Sequence, residues 1–594
     1  MTKSTRITKL KECILANGIP EKLKAELKQN TGTDDFFTVF LSVCNKKERA
    51  RVFHGSGKTL HVAWGNAEKR LEEYQRKQIA HKKPFVATWV KADIVNHFEE
   101  IKTVDLNKIV IKNRWHYFTR IGISLDSGFN RAFIEAEVNG NKILNYDYSQ
   151  DDLNKGQVDY DAVLINLENL NHYLKKYYGM PPVAEIPENI TIFTTRCFFC
   201  GEDNVIHELY SDNMDFGRRR IDLVDDKVIN EVITGASEYL VGLIDDNGKF
   251  TYGYFPIFGA KMTNYNTVRH TSTLWSILNL YRMSGDEKLI PKLEKAIGFL
   301  SDYIELKDEE TAYLVEKDVN EIKLGGNGVA IIMYTEYMDV FKTDKYVDIV
   351  KKLANGILAL QNPETGKYFH VLNYPDYSQK EEHRIVYYDG EATFALSRAY
   401  SFTKEQKYLD GAKAAIEYFI RENYIIHRDH WVAYSLLEVT KYDDNVSFYE
   451  FALRNVEENL KGVYYRETSF HTYLELLMTG WQTYQRALRD GIDSDYIRDF
   501  DPTYFAQTIY HRARHMLNGY FYPEYAMYMK FPETIMGAFH VRHHNYRVRI
   551  DDVQHFIGGY YFYCIYYDEI RPYLSDEFIS GQDNSEALLD QSAP

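Results

Sequence analysis

From Asp226 onward one pattern recurs, and it restricts the fold more than any other feature of the chain. RHTSTLWSILNLYRMSGDEKLI begins at Arg269, NGVAIIMYTEYMDVFKTDKYV at Asn327, DGEATFALSRAYSFTKEQKYL at Asp389 and DHWVAYSLLEVTKYDDNVSFY at Asp429. Each unit is an apolar helix rich in small residues. An aromatic closes it (Tyr281, Tyr337 or Phe341, Tyr400, Tyr442), then a short polar turn leads into a second helix. Recurrence of a helix–turn–helix unit marks a helical repeat or ring. The periodicity predicts twelve helices, at about 227–243, 269–283, 286–304, 327–341, 344–361, 389–402, 404–422, 430–441, 444–460, 467–489, 494–517 and 551–567. Twelve helices make six hairpins, the number that closes a ring. An open solenoid is the rival arrangement.

Loop lengths give the ring a direction. Links inside the units are short (SGDE, KTD, FTKE, YDDN), whereas those leading into them are long, roughly 244–268, 306–326, 362–388 and 518–550. The long links deliver the chain to the N-terminal ends of the even-numbered helices. These are the more apolar ones and so the inner ring. Function is expected on that side, where loops tolerate change and helix N-termini offer free N–H groups and partial positive charge.

Residues 1–180 mix periods. FFTVFLSV (36–43) and FVATWVKADIV (85–95) read as strands, and TLHVAWGNAEKRLEEYQRK (59–77) and FNRAFIEAEV (129–138) as helices. Such alternation predicts an α+β or α/β domain. Pro181, Pro182 and Pro187 mark a boundary, with 183–225 a connecting segment carrying some strand. The fold expected is therefore multidomain α+β. An N-terminal α/β-type domain (1–180) precedes a mostly helical ring (226–570) and a polar tail (571–594).

At 594 residues the chain exceeds one core. Its net charge of −15 repels a polyanionic backbone and argues against nucleic acid as partner. No apolar run is long enough to cross a membrane and the first residues lack a signal-peptide core, so the expected location is cytoplasmic. Tyrosine is abundant, at 49 residues, a side chain that packs like an apolar group yet presents a hydroxyl to water or a sugar. Five cysteines fit free thiols. Cys197 and Cys200 form a CxxC, but zinc needs further ligands and only His207 is close, so the pair reads as half-buried thiols on a strand. GSGK at 55–58 lacks the first glycine of a phosphate-binding loop. No metal and no cofactor is expected.

The first turns of the inner helices and the loops before them gather the candidate site. The catalytic candidates are Tyr387, Tyr388, Asp389, Glu391, His430, Glu467, His471, Asp552 and His555. The substrate-binding candidates are Arg269, His270, Asn327, Arg384, Trp431, Arg542 and His544. Capping explains Asp389 or Glu467 as well as catalysis does. Asp552 and His555 share a helix face, suited to a carboxylate that orients an imidazole or to a buried polar pair.

YYDGEATFALSRAY at the third inner helix and IDDVQHFIGGYYFY at the last, with six hairpins, resemble the six-hairpin glycosidase-like ((α/α)6 toroid) superfamily. Its members include glycoside hydrolases, polysaccharide lyases, N-acyl-sugar 2-epimerases and the helical domain of glucuronyl C5-epimerases. The resemblance spans 226–567 and carries no catalytic residue over. It implies a carbohydrate-active enzyme, a hydrolase, lyase or epimerase acting on a glycan or glycan precursor. A non-catalytic glycan- or protein-binding ring is the alternative.

Overall fold

The computed structural model describes residues 5–16, 18–83, 85–113, 117–147, 163–211, 215–381 and 386–581. In the N-terminal part the long strands are β1 (Phe37–Cys44), β2 (Arg51–Gly57) and β3 (Trp89–Lys102). Short strands β4 (Gly122–Ser124) and β5 (Ala132–Phe133) follow, then β6 (Asn189–Cys200) and β7 (Ile206–Glu208). They form one sheet in the order β2-β1-β3-β6-β4-β5, with β7 also beside β6. Every pairing is antiparallel, so this part is α+β and not a parallel α/β unit. β6 pairs with β3 along its whole length. The expected connecting segment therefore contains a central strand of the N-terminal sheet, and the prolines before it interrupt only a loop. The helix expected at 129–138 is split between β5 and a short helix, Glu135–Gly140.

Both faces of the sheet are covered, which is why β1 is buried at every position. Val39, Leu41 and Val43 face helices α1 (Thr5–Leu15), α2 (Ile19–Thr31) and α3 (Leu60–Ala80) in one core. Phe40 and Cys44, alternating with them, join the core of the helical ring. Cys197 and Cys200, three apart on β6, fall into these two different cores and cannot grip one ion. The sheet rests on the ring's last long loop: Ala50 N–H donates to Met527 O and Tyr528 OH to Ser42 Oγ.

Twelve longer helices follow among the described residues: α4 (Asp226–Gly242), α5 (Thr267–Ser284), α6 (Ile290–Ser301), α7 (Leu324–Phe341), α8 (Val347–Ala359), α9 (Tyr388–Thr403), α10 (Gln406–Arg421), α11 (His430–Val439), α12 (Val446–Glu457), α13 (Thr472–Asp490), α14 (Pro502–Met516) and α15 (Ile550–Ile570). α5 packs on α7, α7 on α9, α9 on α11, α11 on α13 and α13 on α15, and α15 returns to α5. The ring is closed. The other six helices lie outside it, each against one or two inner ones. Sequence explains the sorting. α7 is apolar all round and buried through most of its length, whereas α8 buries only Val350, Leu353, Ala354, Gly356 and Ile357 and turns its charges outward.

Three of the four short turns share one device, the turn after α11 keeping Thr440 right-handed. Gly285, Lys342 and Lys404, directly after α5, α7 and α9, adopt positive φ and donate their N–H to Tyr281, Met338 and Tyr400 carbonyls. At the other rim the inner helices approach closely through glycine. A Cβ on Gly390 would lie 2.5 Å from Val432 N, and one on Gly559 2.8 Å from Leu474 Cβ. Gly390 thus serves helix packing and not ligand approach. The first and last long loops are zipped together, Gly253 pairing with Arg549 and Tyr254 with Val548. At the C-terminus, Phe578 and Ile579 still pack on the ring core, and residues 582–594 of the expected tail lie outside the described residues.

Candidate functional site

The N-terminal ends of the inner helices converge on one rim, and their first turns bring together a cluster of imidazoles and carboxylates. His555, on the second turn of α15, sets Nδ1 2.6 Å from Glu475 Oε2 of α13. Tyr434 OH of α11 donates to Glu475 Oε1 at 3.2 Å. Gly558 makes room for this carboxylate, because a Cβ there would lie 2.5 Å from Glu475 Oε1. Burial raises the Glu475 carboxyl, and His555 opposes the rise.

Two more rings flank His555. His471, which caps α13, stacks on it with ring centres 5.2 Å apart, and His430, first residue of α11, meets it edge-on at 4.9 Å. His430 is fully buried, and among the described residues neither of its ring nitrogens has a hydrogen-bond partner. Burial, then His555 and His471, hold it well below the ordinary imidazole value, so it stays neutral. His471 is pushed down to about 3, chiefly by burial. His471 and His555 keep partial exposure to the mouth, and Trp431 and Trp275, 5.4 Å apart, lie buried beneath. Trp431 is therefore floor, not a surface stacking platform. His430, Glu475 and His555 place one donor atom each within 4.8 Å of one another, an arrangement that could hold a divalent ion.

The carboxylates around this cluster divide sharply. Asp552 is buried and held by Arg547 (3.2 Å) and Arg549 (3.0 Å), with His471 at 4.0 Å. Against the opposing effect of burial, these cations lower it to about 2. Asp551 is paired with Arg269 (2.7 Å) and Arg549 (3.0 Å), and Arg269 also donates to Tyr252 OH at 2.5 Å. Asp552 and His555 do not orient one another; the partner of His555 is Glu475.

Glu391 contrasts with these. It is buried on the first turn of α9, and its Oε2 has no hydrogen-bond partner among the described residues. Burial, then Asp429, raise it to about 8, with Arg269 opposing. A carboxyl raised in the fold binds its proton between the unfolded and folded pKa values, so stability falls as pH climbs through that window. Glu391→Gln is expected to flatten the decline between about pH 5 and 8. Urea midpoints measured across that range check this. Tyr387 and Tyr388 stand beside it. Tyr387 has φ 80° and packs on His430 at 4.9 Å, and burial raises it to about 12.

Four expected residues are committed elsewhere. Asp389 accepts from Tyr424 OH (3.1 Å) and pairs with His370 Nε2 (3.0 Å), behind α9. His270 bonds Tyr265 OH and the Ala296 carbonyl and stacks on Phe299, a satisfied core histidine between α5 and α6. Asn327 binds the Leu314 backbone and Lys323 O, clamping a loop strand. Glu467 is exposed on the loop before α13, because that helix starts at Thr472 and not at 467. Arg542 and His544 form part of a short 3-10 turn on the outer lip. Arg384 lies outside the described residues. Sequence reading missed Glu475, Tyr434, Arg547 and Arg549. A lone Glu within the apolar run TYLELLMTGW was the available signal for the first.

No family model matches this chain, and no curated protein does. Solved structures do. A D-mannose isomerase is 12% identical, with 58% of this chain covering 97% of that one at a TM-score of 0.44. A cellobiose 2-epimerase from Bacillus thermoamylovorans is 14% identical (48% and 86% covered, TM-score 0.39). A family 76 α-mannanase from Bacteroides thetaiotaomicron is 11% identical (59% and 100%, 0.39).

Proposed function

We propose that this protein is a carbohydrate-active enzyme that moves a proton at a sugar carbon, as an epimerase or isomerase does. The observation that supports this reading is the His555–Glu475 pair with His471 stacked beside it. A hydrogen-bonded carboxylate fixes one imidazole nitrogen and leaves Nε2 of His555 to take a proton from carbon next to a carbonyl. His555, protonated by that step, holds the proton that the return step needs, and His471, neutral and stacked beside it, can accept a proton from the same ligand. Tyr387, Tyr388 and Arg269, half-buried on the first turns of α9 and α5 or just before them, suit the hydroxyls and ring oxygen of a sugar. Glycoside hydrolysis needs two available carboxyl groups across the scissile bond. Asp551, Asp552 and Asp389 are engaged by arginines, histidine or tyrosine, and Glu475 is engaged by His555.

One observation favours a second reading, hydrolysis, because the raised Glu391 carboxyl is poised as a proton donor. Incubation of the protein with free aldoses and disaccharides in deuterium oxide separates the two. Proton transfer predicts deuterium at a sugar C–H position and an epimer or keto isomer, read by NMR. Hydrolysis predicts shortened oligosaccharides with no exchange at carbon. If neither occurs while sugars still bind, the ring is a binding module and both enzymatic readings fall.

A further inference from the structure

Proton transfer by His555 leaves His430 without a task. Its ring is wholly buried at the start of α11, and neither Nδ1 nor Nε2 meets a hydrogen-bond partner among the described residues. An imidazole always offers a donor or a lone pair at each nitrogen, and burying both unmet is costly. The ring is wedged in place, edge-on to Tyr387 and to His555 at 4.9 Å each and beside Trp431 at 5.1 Å. In that seat Nε2 stands 3.8 Å from Glu475 Oε2, too far for a hydrogen bond.

The same Oε2 lies 2.6 Å from His555 Nδ1, while Tyr434 OH donates to the other carboxylate oxygen at 3.2 Å. His430, Glu475 and His555 each bring one donor atom within 4.8 Å of the other two, and no other trio of His, Cys, Asp or Glu among the described residues does so. Two imidazoles and one carboxylate are a donor set for zinc and its first-row neighbours. Two ligands on one zinc stand roughly 3.4 Å apart, from bonds of about 2.1 Å at the tetrahedral angle. The separations of 3.8 Å and 2.6 Å bracket that value, so small side-chain rotations close the site. The three ligands stand on α11, α13 and α15, which pack in succession around the ring. Tyr434 fixes the carboxylate from behind, as an outer partner of a metal ligand does. His555 keeps partial exposure to the mouth, which gives an ion its way in.

We propose that His430, Glu475 and His555 bind a divalent transition ion of the zinc class, and that this ion blocks proton transfer. The ion site stands on the geometry alone. The block rests on the proton-transfer reading and deepens it by naming a regulator of the same site. It follows from the lone pairs of His555. Nε2 takes a proton from carbon only while Nδ1 carries the hydrogen shared with Glu475. An ion on Nδ1 sends that hydrogen to Nε2, and an ion on Nε2 occupies the lone pair itself. Either way His555 stops acting as a base. His430 holds the ion without touching the His555–Glu475 hydrogen bond.

The test is calorimetric titration of chelator-stripped protein with zinc chloride, repeated with cobalt chloride and read by visible absorption. It uses wild type, His430→Asn, Glu475→Gln and a control, His543→Ala/His544→Ala, which removes the imidazole pair of the outer lip. Wild type and control are expected to bind one equivalent, and each ligand variant to bind roughly tenfold or more weakly. Should His430→Asn not fold, Glu475→Gln, nearly unchanged in shape, decides. No uptake by wild type overturns the site, as does tight binding that survives both ligand substitutions. In the deuterium experiment one equivalent of zinc is expected to stop exchange at the sugar carbon and EDTA to restore it. Exchange that persists with the ion bound, or that requires the ion, overturns the block. Wild type that never exchanges deuterium removes the proton-transfer reading and the block with it, while the calorimetry still decides the ion site.

Discussion

Replacing His555 with Asn lowers proton-transfer turnover by roughly 10²–10⁴-fold on the reading given above, with sugar affinity retained. The size follows from the loss of the group that takes the proton. The retained affinity follows because Tyr387, Tyr388 and Arg269 belong to other helices. Glu475→Gln separates positioning from packing. The amide is nearly the same shape, still fits against Gly558 and still accepts from Tyr434, so the fold should persist. It cannot balance charge on His555, and its NH2 can turn the imidazole to the wrong tautomer. The expected result is a fall in kcat with little change in KM and a displaced pH profile. A merely structural glutamate would leave the pH profile of the remaining activity where it was. His430→Asn is a further contrast. His430 lies a layer deeper, neutral and fully buried, so its loss should act through the seating of His555 and be rescued in part by Gln. Steady-state kinetics from about pH 5 to 9 on the three variants decide among these roles. Full activity of His555→Asn would discard the mechanism.

Much of the ring was legible because its cause is repetitive. An inner helix must be apolar on all sides, an outer one on a single stripe, and the short turn between them needs a left-handed residue. The first two demands recur from α5 to α12, and the third from α5 to α10, and together they leave a period in the sequence. The rim was legible by the same logic, since polar side chains on the first turns of otherwise apolar helices need a reason to be there. The partners were not. Nothing in the sequence marks that Asp389 turns backward to His370 and Tyr424, or that His270 is satisfied by a carbonyl of α6, because those contacts depend on packing between hairpins. The α13 start illustrates how a small error propagates. Placing it at 467 put Glu467 in the first turn and hid Glu475, the residue on which His555 depends. β6 was hidden differently, since the prolines preceding it mimic a domain boundary while the sheet continues beyond them.

Lys91→Met is expected to destabilise the protein by about 3–5 kcal/mol. Lys91 sits near the start of β3 on the face that meets the ring, its side chain 2% exposed, with Nζ 2.7 Å from Asp93 Oδ1 and 3.8 Å from Glu135 Oε1. Burial alone would lower it. Asp93, with smaller help from Cys197, Tyr528 and Glu135, outweighs that and holds the ammonium well above its usual value. Glu135, by contrast, is raised by burial, so the charge that matters most is the Lys91–Asp93 pair. Methionine fills the space of the lysine stem but leaves Asp93 as a buried anion, served only by weak donors such as Cys197 Sγ (2.9 Å) and Thr195. That uncompensated charge, and not the lost attraction, sets the size of the effect. Removing both members of the pair gives a sharper expected result. Lys91→Met/Asp93→Leu removes both charges at once and should recover most of the loss, because two well-packed apolar side chains replace an ion pair whose desolvation was itself unfavourable. Urea unfolding of the single and double variants measures the difference. If the double variant is as unstable as the single one, the pair earns its place through geometry at the junction with Tyr528, and the electrostatic account of this interface is wrong.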